Sequence, residues 1–537
     1  MKTRLLFLVV ALCATHINAQ TFNEVQKLTA LDRGANDSYG YSVAIDGNYA
    51  IVGAWLEDQD ATGGNTLAEA GSAYIYEKSG NGNWVEVQKI VAADRDVGDS
   101  FGLDVDIHGN FAVVGAYTED EDVAGGNSLN NSGSAYIFER DSGGTWSQVQ
   151  KIVASDRTAV DGFGLSVAMH EDVIIVGSYN GYDENGQNPG YITGAAYIFD
   201  YNGNSWSQTQ KIVASYRDYG AKFGCDVDIS GNYAVVGAYW DRTDENNANV
   251  MNRSGSVFIF EKNGGNWSEV RKFTPQYRGS IDELGWDVTI DGTTIAAGAR
   301  FQQTDGAGQN PIAGAGAVYI LDRDGSGTWN FTKKIVPNVR ASNNFGDAVS
   351  ISGDYLAVGN RLNDTDENNG NPLTYAGAAY IFARNTGGAN NWGQKQKIVA
   401  SDRNGNDRFG LEVGLDDGQL IIGSPHQDRD ASGNNQMTDA GAAYISADPL
   451  LDINETIFTT VITAFPNPSN GQFTIDLGKE YTNVTVQITS MLGQIISSEK
   501  FDSAKNIKQE INASQGMYFV SISTATGESA IVKVLKR

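Results

Sequence analysis

The sequence predicts an all-β chain, a seven-bladed β-propeller followed by a small C-terminal β-sandwich-like domain. The first observation is a period. The glycine of a Phe-Gly-like pair recurs at Gly40, Gly102, Gly164, Gly224, Gly285, Gly346 and Gly410, at spacings of 62, 62, 60, 61, 61 and 64 residues, and self-similarity at a fixed spacing marks a repeat architecture. The second is the content of each repeat. Phe101 to Ile107, Phe111 to Ala116, Ser134 to Glu139 and Trp146 to Ala154 are four short strand-like runs divided by turn residues, and four strands make one propeller blade. The third is composition: 63 glycines against 9 prolines, with 41% apolar and 10% aromatic residues, suits strands joined by many tight turns.

Taken from the N-terminus, residues 1 to 19 read as a signal peptide, with Lys2 and Arg4, the apolar run Leu5 to Cys13, and Ala19 before Gln20. Its removal takes Cys13 with it and leaves Cys225, so no internal disulfide is expected. It also moves the formal charge from -27 to -29. Such a charge repels phosphate backbones and anionic membranes, which argues against nucleic acid as a partner and leaves cations and neutral glycans open. No later stretch reaches the roughly 18 consecutive apolar residues of a transmembrane segment.

Residues 20 to 447 hold the propeller. A Trp recurs at Trp84, Trp146, Trp206, Trp267, Trp329 and Trp392, and Phe22 stands 62 residues before the first of them. Short turns such as Asp46-Gly47-Asn48 join first and second strands, and Ser142-Gly143-Gly144 joins third to fourth. The seventh repeat lacks a fourth strand after Tyr444 to Ala447. Phe22 to Thr29 reads like one, because Asn-Glu-Val-Gln-Lys-Leu matches Ser-Gln-Val-Gln-Lys-Ile at Ser147 to Ile152. The N-terminal strand is therefore predicted to complete blade seven and close the ring, removing open sheet edges.

Gly-Tyr-Ser-Val-Ala-Ile from Gly40, Ala-Ile-Val-Gly-Ala ending at Ala54, and Gly-Ser-Ala-Tyr-Ile-Tyr from Gly71 to Tyr76 resemble the FG-GAP repeats that build the integrin α-subunit propeller. The resemblance covers roughly residues 22 to 447 and implies the fold; a propeller by itself hosts binding and catalysis alike. Residues 448 to 458, with Asp448-Pro449, read as a polar linker to a second domain at 459 to 537. There, Thr463-Ala464-Phe465-Pro466-Asn467-Pro468, Gly471-Gln472-Phe473, Met491-Leu492-Gly493-Gln494, Gly516-Met517-Tyr518-Phe519-Val520 and the basic Lys533 to Arg537 resemble the type A sorting domain of type IX secretion. That resemblance implies a Bacteroidetes-type outer-membrane exporter, removal of the tail, and release or attachment to surface lipopolysaccharide.

Catalytic residues are not signalled. After the signal peptide the only histidines are His108, His170 and His426, with no His-Glu-x-x-His, no Gly-x-Ser-x-Gly and no phosphate-binding glycine loop. Cys225 stands where other repeats carry Leu103, Leu165 or Trp286, a core position. Asp104 with Asp106, and Asp226 with Asp228, project to one side of the innermost strand near the axis. They are expected to hydrogen-bond to the neighbouring blade, the competing reading being a cation or glycosidase site.

The loop between second and third strands repeats an Asp at Asp60, Asp122, Asp183, Asp244, Asp305, Asp366 and Asp430, each followed five residues on by Asn65, Asn127, Asn188, Asn249, Asn310, Asn371 and Asn435. This predicts a rigid loop built on side-chain to backbone bonds. Each blade-to-blade connection carries an Arg, namely Arg33, Arg95, Arg157, Arg217, Arg278, Arg340 and Arg403, which the spacing predicts to form a ring of ion pairs with those aspartates. A second acid two residues earlier occurs only at Asp58, Asp120, Asp364 and Asp428, on contiguous blades six, seven, one and two. Asp58, Asp60, Asp120, Asp122, Asp364, Asp366, Asp428 and Asp430 are thus candidate Ca²⁺ ligands, although the Asp-x-Asp-x-Asp-Gly loops of the integrin relatives are absent. The same loops open with Trp55, Tyr117, Tyr179 and Tyr239, with Trp240 beside the last, and with Arg300, Arg361 and Pro425 in the remaining blades. These five aromatics are candidate ligand contacts, able to stack on sugars or anchor a protein. Together the features point to a secreted or cell-surface binding propeller for a glycan or protein. A polysaccharide-active enzyme using channel carboxylates and a structural surface-layer component are the alternatives.

Overall fold

In each repeat the second and third strands are near-continuous apolar runs, while the first and fourth alternate. Ala50 to Ala54 and Ser72 to Tyr76 are buried throughout, whereas Val43–Asp46 alternates buried with half-buried residues and Trp84–Ile90 alternates exposed with half-buried ones between its buried ends. That pattern fits sheets stacked face to face, with the middle strands covered on both sides. A computed structural model describes residues 22–181, 193–341, 343–448, 456–457, 462–467, 469–490, 495–524 and 528–536. The segment read as a signal peptide, Asp183, Asn188, most of the segment 448–458 read as a linker, and residues 491–494 lie outside the described residues.

The propeller is seven four-stranded antiparallel sheets. Blade one runs Val43–Asp46, Tyr49–Ala54, Ser72–Lys78, Trp84–Ile90 from the axis outward, and blades two to six repeat the order. Blade seven is Val413–Asp416, Gln419–Ser424 and Ala442–Ala447, completed by Asn23–Leu28, which pairs antiparallel with the third strand from Asn23 opposite Ala447 to Leu28 opposite Ala443. The hydrophobic core lies between blades. Ile51, Ile75 and Ile90 of blade one pack with Phe101, Val105, Val114, Tyr136 and Trp146 of blade two, and the other interfaces follow the same plan.

Glycine sets the blade spacing. Gly40 and its six counterparts have φ between 79° and 88°, a region that side-chain-bearing residues rarely adopt. Gly53, Gly115, Gly177, Gly237, Gly298, Gly359 and Gly423 have ordinary φ, yet a Cβ on any of them would collide with the carbonyl oxygen of the Phe-Gly glycine of the next blade. Backbone therefore meets backbone at every seam, and the Phe of the pair fills the space beside it: Phe101 and Phe163 are fully buried and set edge-on to Tyr136 and Tyr197.

A second tie closes the outside. Gln88 Nε2 donates to Trp146 O (2.6 Å), and Trp146 N donates back to Gln88 Oε1 (2.9 Å). Gln26 with Trp84, Gln150 with Trp206 and Gln210 with Trp267 do the same. Gln396 binds Phe22 likewise. Because the clasp uses the backbone of the aromatic residue, Phe can stand where the other blades have Trp.

The C-terminal unit is a six-stranded sheet in the order Thr456–Ile457, Glu528–Lys536, Gly516–Ser523, Gln472–Ser490, Thr463–Phe465, with Ile495–Glu510 pairing on Gln472–Ser490. Alternation along the two long strands puts Phe473, Ile475, Leu477, Val484, Val486 and Ile488 with Ile507, Val520, Ile522 and Val534 in one core.

Two outcomes are expected. Gly177→Ala, whose backbone angles tolerate alanine but whose new Cβ meets Gly224 O, should cost about 3 kcal/mol. Gly325→Ala, with nothing near the added methyl, should stay within about 0.5 kcal/mol; equal melting of the two variants would refute the seam. Deletion of residues 20 to 30 should expose the Ala442–Ala447 edge and make the protein aggregate, seen by light scattering during thermal melts.

Candidate functional site: an aromatic cup over a ring of carboxylates

The innermost strand of every blade is a sheet edge, so its outward N–H groups need acceptors from elsewhere. Side chains two and four residues after the seam glycine point to the axis and supply them. Asp104 accepts Val167 N of the next blade (2.7 Å) as well as Ser42 Oγ and Val105 N. Asp106 accepts Met169 N (2.7 Å), Asp226 accepts Val288 N (2.6 Å) and Asp228 accepts Ile290 N (2.7 Å). The Asp104/Asp106 and Asp226/Asp228 pairs thus tie blade to blade.

These carboxylates converge. Asp104, Asp226, Asp287 and Glu412 form a ring between a channel cavity of about 530 Å³ on one side and a cup of about 400 Å³ on the other. Burial pushes Asp104 up to about 6, and burial followed by repulsion from Asp104 pushes Asp226 up to about 8. Asp287 and Glu412 are held well above the usual carboxylate range, first by burial and then by the other acids of the ring.

The cup is walled by aromatic rings. Trp55, Tyr117, Tyr179 and Tyr239 all line it. Two further rings complete the wall: Tyr41, edge-on to Trp55 at 5.6 Å, and Trp286, edge-on to Tyr239 at 5.0 Å. Trp240 is not among the lining residues and instead lies near cations, Arg253 at 4.7 Å and Lys222 at 5.6 Å from its ring. On the side of blades five and six, the Arg300 guanidinium covers Trp286 and pairs with Glu283 (2.8 Å), and Arg361 pairs with Asp347 (3.3 Å). Cys225 also borders the cup, where its Sγ donates to Gly285 O (3.2 Å) and burial holds the thiol well above its ordinary range.

The loop aspartates are occupied by their own loops. Asp366 accepts Asn368 N (3.0 Å), Gly370 N (2.7 Å) and Asn371 Nδ2 (2.6 Å). Asp60, Asp122 and Asp430 accept the corresponding N–H groups two and four residues on. The recurring Asn follows because Asn65, Asn127, Asn249, Asn310 and Asn371 take positive φ, which Asn tolerates. Asp58, Asp120, Asp364 and Asp428 each accept the N–H eleven residues on, at Glu69, Asn131, Tyr375 and Asp439. Among the described residues the one group of three acidic ligand atoms close enough to share a cation is Asp94, Glu119 and Glu121. The Lys151 ammonium already contacts the first two, at 2.8 Å each.

The expected ring of Arg–Asp ion pairs is not what the arginines make. Arg95 donates to Asn65 O (2.8 Å) and Asp58 O (2.7 Å), Arg157 to Asn127 O (3.0 Å) and Asp120 O (2.6 Å), and Arg403 to Asn371 O (2.9 Å) and Asp364 O (2.8 Å). With the Asp carboxylates turned into their own loops, the guanidinium fork finds the outward carbonyls instead and pins each loop to its blade.

With sheets, seams and cup described, similarity to known families can be judged. The family model described as FG-GAP repeat matches residues 22–76, 84–138, 146–199, 206–260, 267–321, 329–382 and 392–446. The chain belongs to the FG-GAP repeat family. Residues 463–537 match a secretion system C-terminal sorting domain, which marks the FG-GAP propeller for the cell exterior through type IX secretion. No curated protein matches the chain. Among the described residues no helix is long and apolar enough to cross a membrane. Sequence reasoning missed Tyr41, Trp286, Asp287 and Glu412. Comparing the position two residues after the seam glycine across the FG-GAP repeats, which reads Ser42, Asp104, Ser166, Asp226, Asp287, Ala348, Glu412, would have exposed the acidic ring.

Raised carboxyl pKa values mean that the native state binds protons more tightly than the unfolded chain, so their contribution to stability is present at low pH and lost as pH rises through the folded values. With Asp104 and Asp228 at about 6 and Asp226 at about 8, the propeller should gain stability as pH falls from about 8 to about 5. Glu412→Gln removes one charge of the ring and should raise stability at pH 8 by about 1 kcal/mol with little effect at pH 5. Thermal melts across that range check both, and a flat profile would refute the acidic ring.

Proposed function

We propose that this secreted FG-GAP propeller is a non-catalytic binding and adhesion module that holds a glycan or protein ligand in its axial cup. The observation that carries the reading is convergence: Trp55, Tyr117, Tyr179 and Tyr239, drawn from blades one to four, surround one cup floored by Asp104, Asp226, Asp287 and Glu412. Aromatic faces give a large contact area for a sugar ring, an apolar side chain or a cation. Carboxylates at the floor accept hydrogen bonds from hydroxyl or ammonium groups. Binding is favoured over hydrolysis because Asp104 and Asp226 each already accept two or more hydrogen bonds, one from the next blade, and so lack the freedom of a proton-shuttling pair.

The test is a screen of the secreted protein against immobilised glycans and extracellular-matrix proteins, repeated with Trp55→Ala and Tyr117→Ala. Saturable binding without turnover, weakened about tenfold or more by either variant at unchanged melting temperature, is expected. Hydrolysis of a polymer that Asp104→Asn abolishes would instead establish the enzyme reading.

A further inference from the structure

Sevenfold repetition makes each blade a control for the others, and the outer seam between blades four and five departs from its sisters. Two residues after the recurring aromatic, six blades carry an acid or amide that accepts the N–H of the preceding connection. These are Glu24 with Ser401 N (2.9 Å), Glu86 with Leu31 N (3.0 Å), Gln148 with Ala93 N (2.9 Å), Gln208 with Ser155 N (2.9 Å), Glu269 with Ser215 N (2.7 Å) and Gln394 with Asn338 N (2.8 Å). Blade five has Phe331 there, which offers no acceptor. Its ring stacks on Phe273 at 5.9 Å and 12°, and Phe273 itself replaces the Ile or Leu of the other six outer strands. The place of the missing clamp is a pocket of about 720 Å³ bordered by Phe273, Tyr277, Tyr319, Phe331, Arg271 and Lys334.

The pocket also contains a buried cation that has lost its usual partners. Lys89 lies between Asp32 (2.8 Å) and Glu57 (2.7 Å), and Lys151 between Asp94 and Glu119. In blade five the equivalents of those two acids are Tyr277 and Gln302. Lys334 donates only to Thr304 O (2.9 Å) and Thr304 Oγ1 (2.7 Å), with no carboxylate in ion-pair reach among the described residues, and burial lowers its pKa to about 8. Lys397 of blade six is similarly placed on Thr365 Oγ1, but there Gln394 keeps the clamp. The acids nearest it are engaged elsewhere: Asp282 and Asp305 act on Lys334 by charge alone, Asp282 accepting Gln302 Nε2 (2.7 Å) and Asp305 capping its own turn, while Asp244 caps its turn and Glu245 pairs with Arg271 (3.2 Å). The surroundings are aromatic and exposed. Tyr277 is 62% and Phe331 49% accessible, and of the five exposed aromatic side chains described in the propeller these two, Tyr216 and Tyr219 lie on blade five or on the two connections that flank blade four.

A buried ammonium with no ion-pair partner, lining an open pocket, calls for an anion, and flat rings beside it call for a flat apolar face next to that anion. We propose that the pocket between blades four and five is a second ligand site, independent of the axial cup, for a carboxylated sugar of an acidic polysaccharide, held by short-range contact that outweighs the screened long-range repulsion from the chain's net charge of -27. The uronate carboxylate meets Lys334, and the pyranose face lies on Phe331 and Tyr277. The open mouth lets the polymer continue to either side.

Calorimetric titration of the full secreted protein with tetragalacturonate and with neutral galactotetraose tests the site. Saturable binding of the uronate, at least tenfold tighter than the neutral sugar, is expected. Tyr277→Asp, which gives Lys334 the partner that Lys89 has, and Phe331→Gln, which restores the clamp residue, both install what sister blades already fold with. Each should weaken uronate binding at least tenfold while melting stays the same or rises. Absence of saturable uronate binding, equal binding of the neutral tetrasaccharide, or full binding by both variants would each overturn the proposal.

Discussion

Direct contact of backbone with backbone between blades is the constraint on which the structure rests. A propeller blade buries both faces of its middle strands only if its neighbours come close, and here the approach is set by glycines that leave no room for a Cβ against the next blade's carbonyl. Once that spacing is fixed, much else is forced. The Phe of each Phe-Gly pair must fill the wedge beside the contact. The innermost strands are held near enough to the axis that a side chain of one blade reaches the edge N–H of the next, as Asp104 reaches Val167. Residues of successive blades also meet at the mouth of the channel, which is how aromatics from five blades come to share one cup.

Outside that inner constraint, several sevenfold or nearly sevenfold ties repeat: the Gln clasp on the aromatic backbone, the Lys held by acids or hydroxyls, the Arg on loop carbonyls, and the Asp-capped turns. Each is individually modest, about 1 kcal/mol for a typical hydrogen bond, and their repetition means that no single one decides folding. This redundancy is what lets one seam be altered. At blades four and five Arg271 takes over the Gln role by donating to Trp329 O, so the clasp survives while Phe331 and Tyr277 abandon theirs.

The fold was legible in the sequence because a period of about 60 residues needs no knowledge of space, and the four runs per period define a blade. The aromatic wall was partly legible, since Trp55, Tyr117, Tyr179 and Tyr239 open equivalent loops; that Trp240 stands beside Lys222 and Arg253 rather than in the cup was not legible, because those cations come from other segments. The Arg–Asp pairing was misread for a physical reason. Sequence shows that two charges recur at fixed spacing, but not that Asp366 has three local donors within its own turn and that Arg403 is left facing carbonyls. The pocket between blades four and five escaped notice because it depends on Phe331 and Tyr277, 54 residues apart, lining one cavity, and neither is unusual alone.

The acidic ring shows most clearly where fold and function part. If the carboxylates at the axis existed only to bind the next blade's edge, a neutral acceptor would do as well, and the molecule contains that comparison. Ser42 Oγ accepts Val105 N (3.0 Å) and Ser166 Oγ accepts Val227 N (3.1 Å), from the same position that Asp104 and Asp226 occupy in their own blades. Serine supplies the acceptor there without a charge of its own, while its hydroxyl donates to the next blade's Asp104 or Asp226. Asp104, Asp226, Asp287 and Glu412 bring four acids together at a place where other blades carry serine or alanine, and burial, reinforced for Asp226, Asp287 and Glu412 by repulsion from the other acids, makes their ionisation destabilise the native state as pH rises. A cost of that kind, placed beneath six aromatic rings, would be relieved by a donor-rich or cationic group in the cup, so the charges that weaken the empty propeller are the physical basis of the binding role proposed for it.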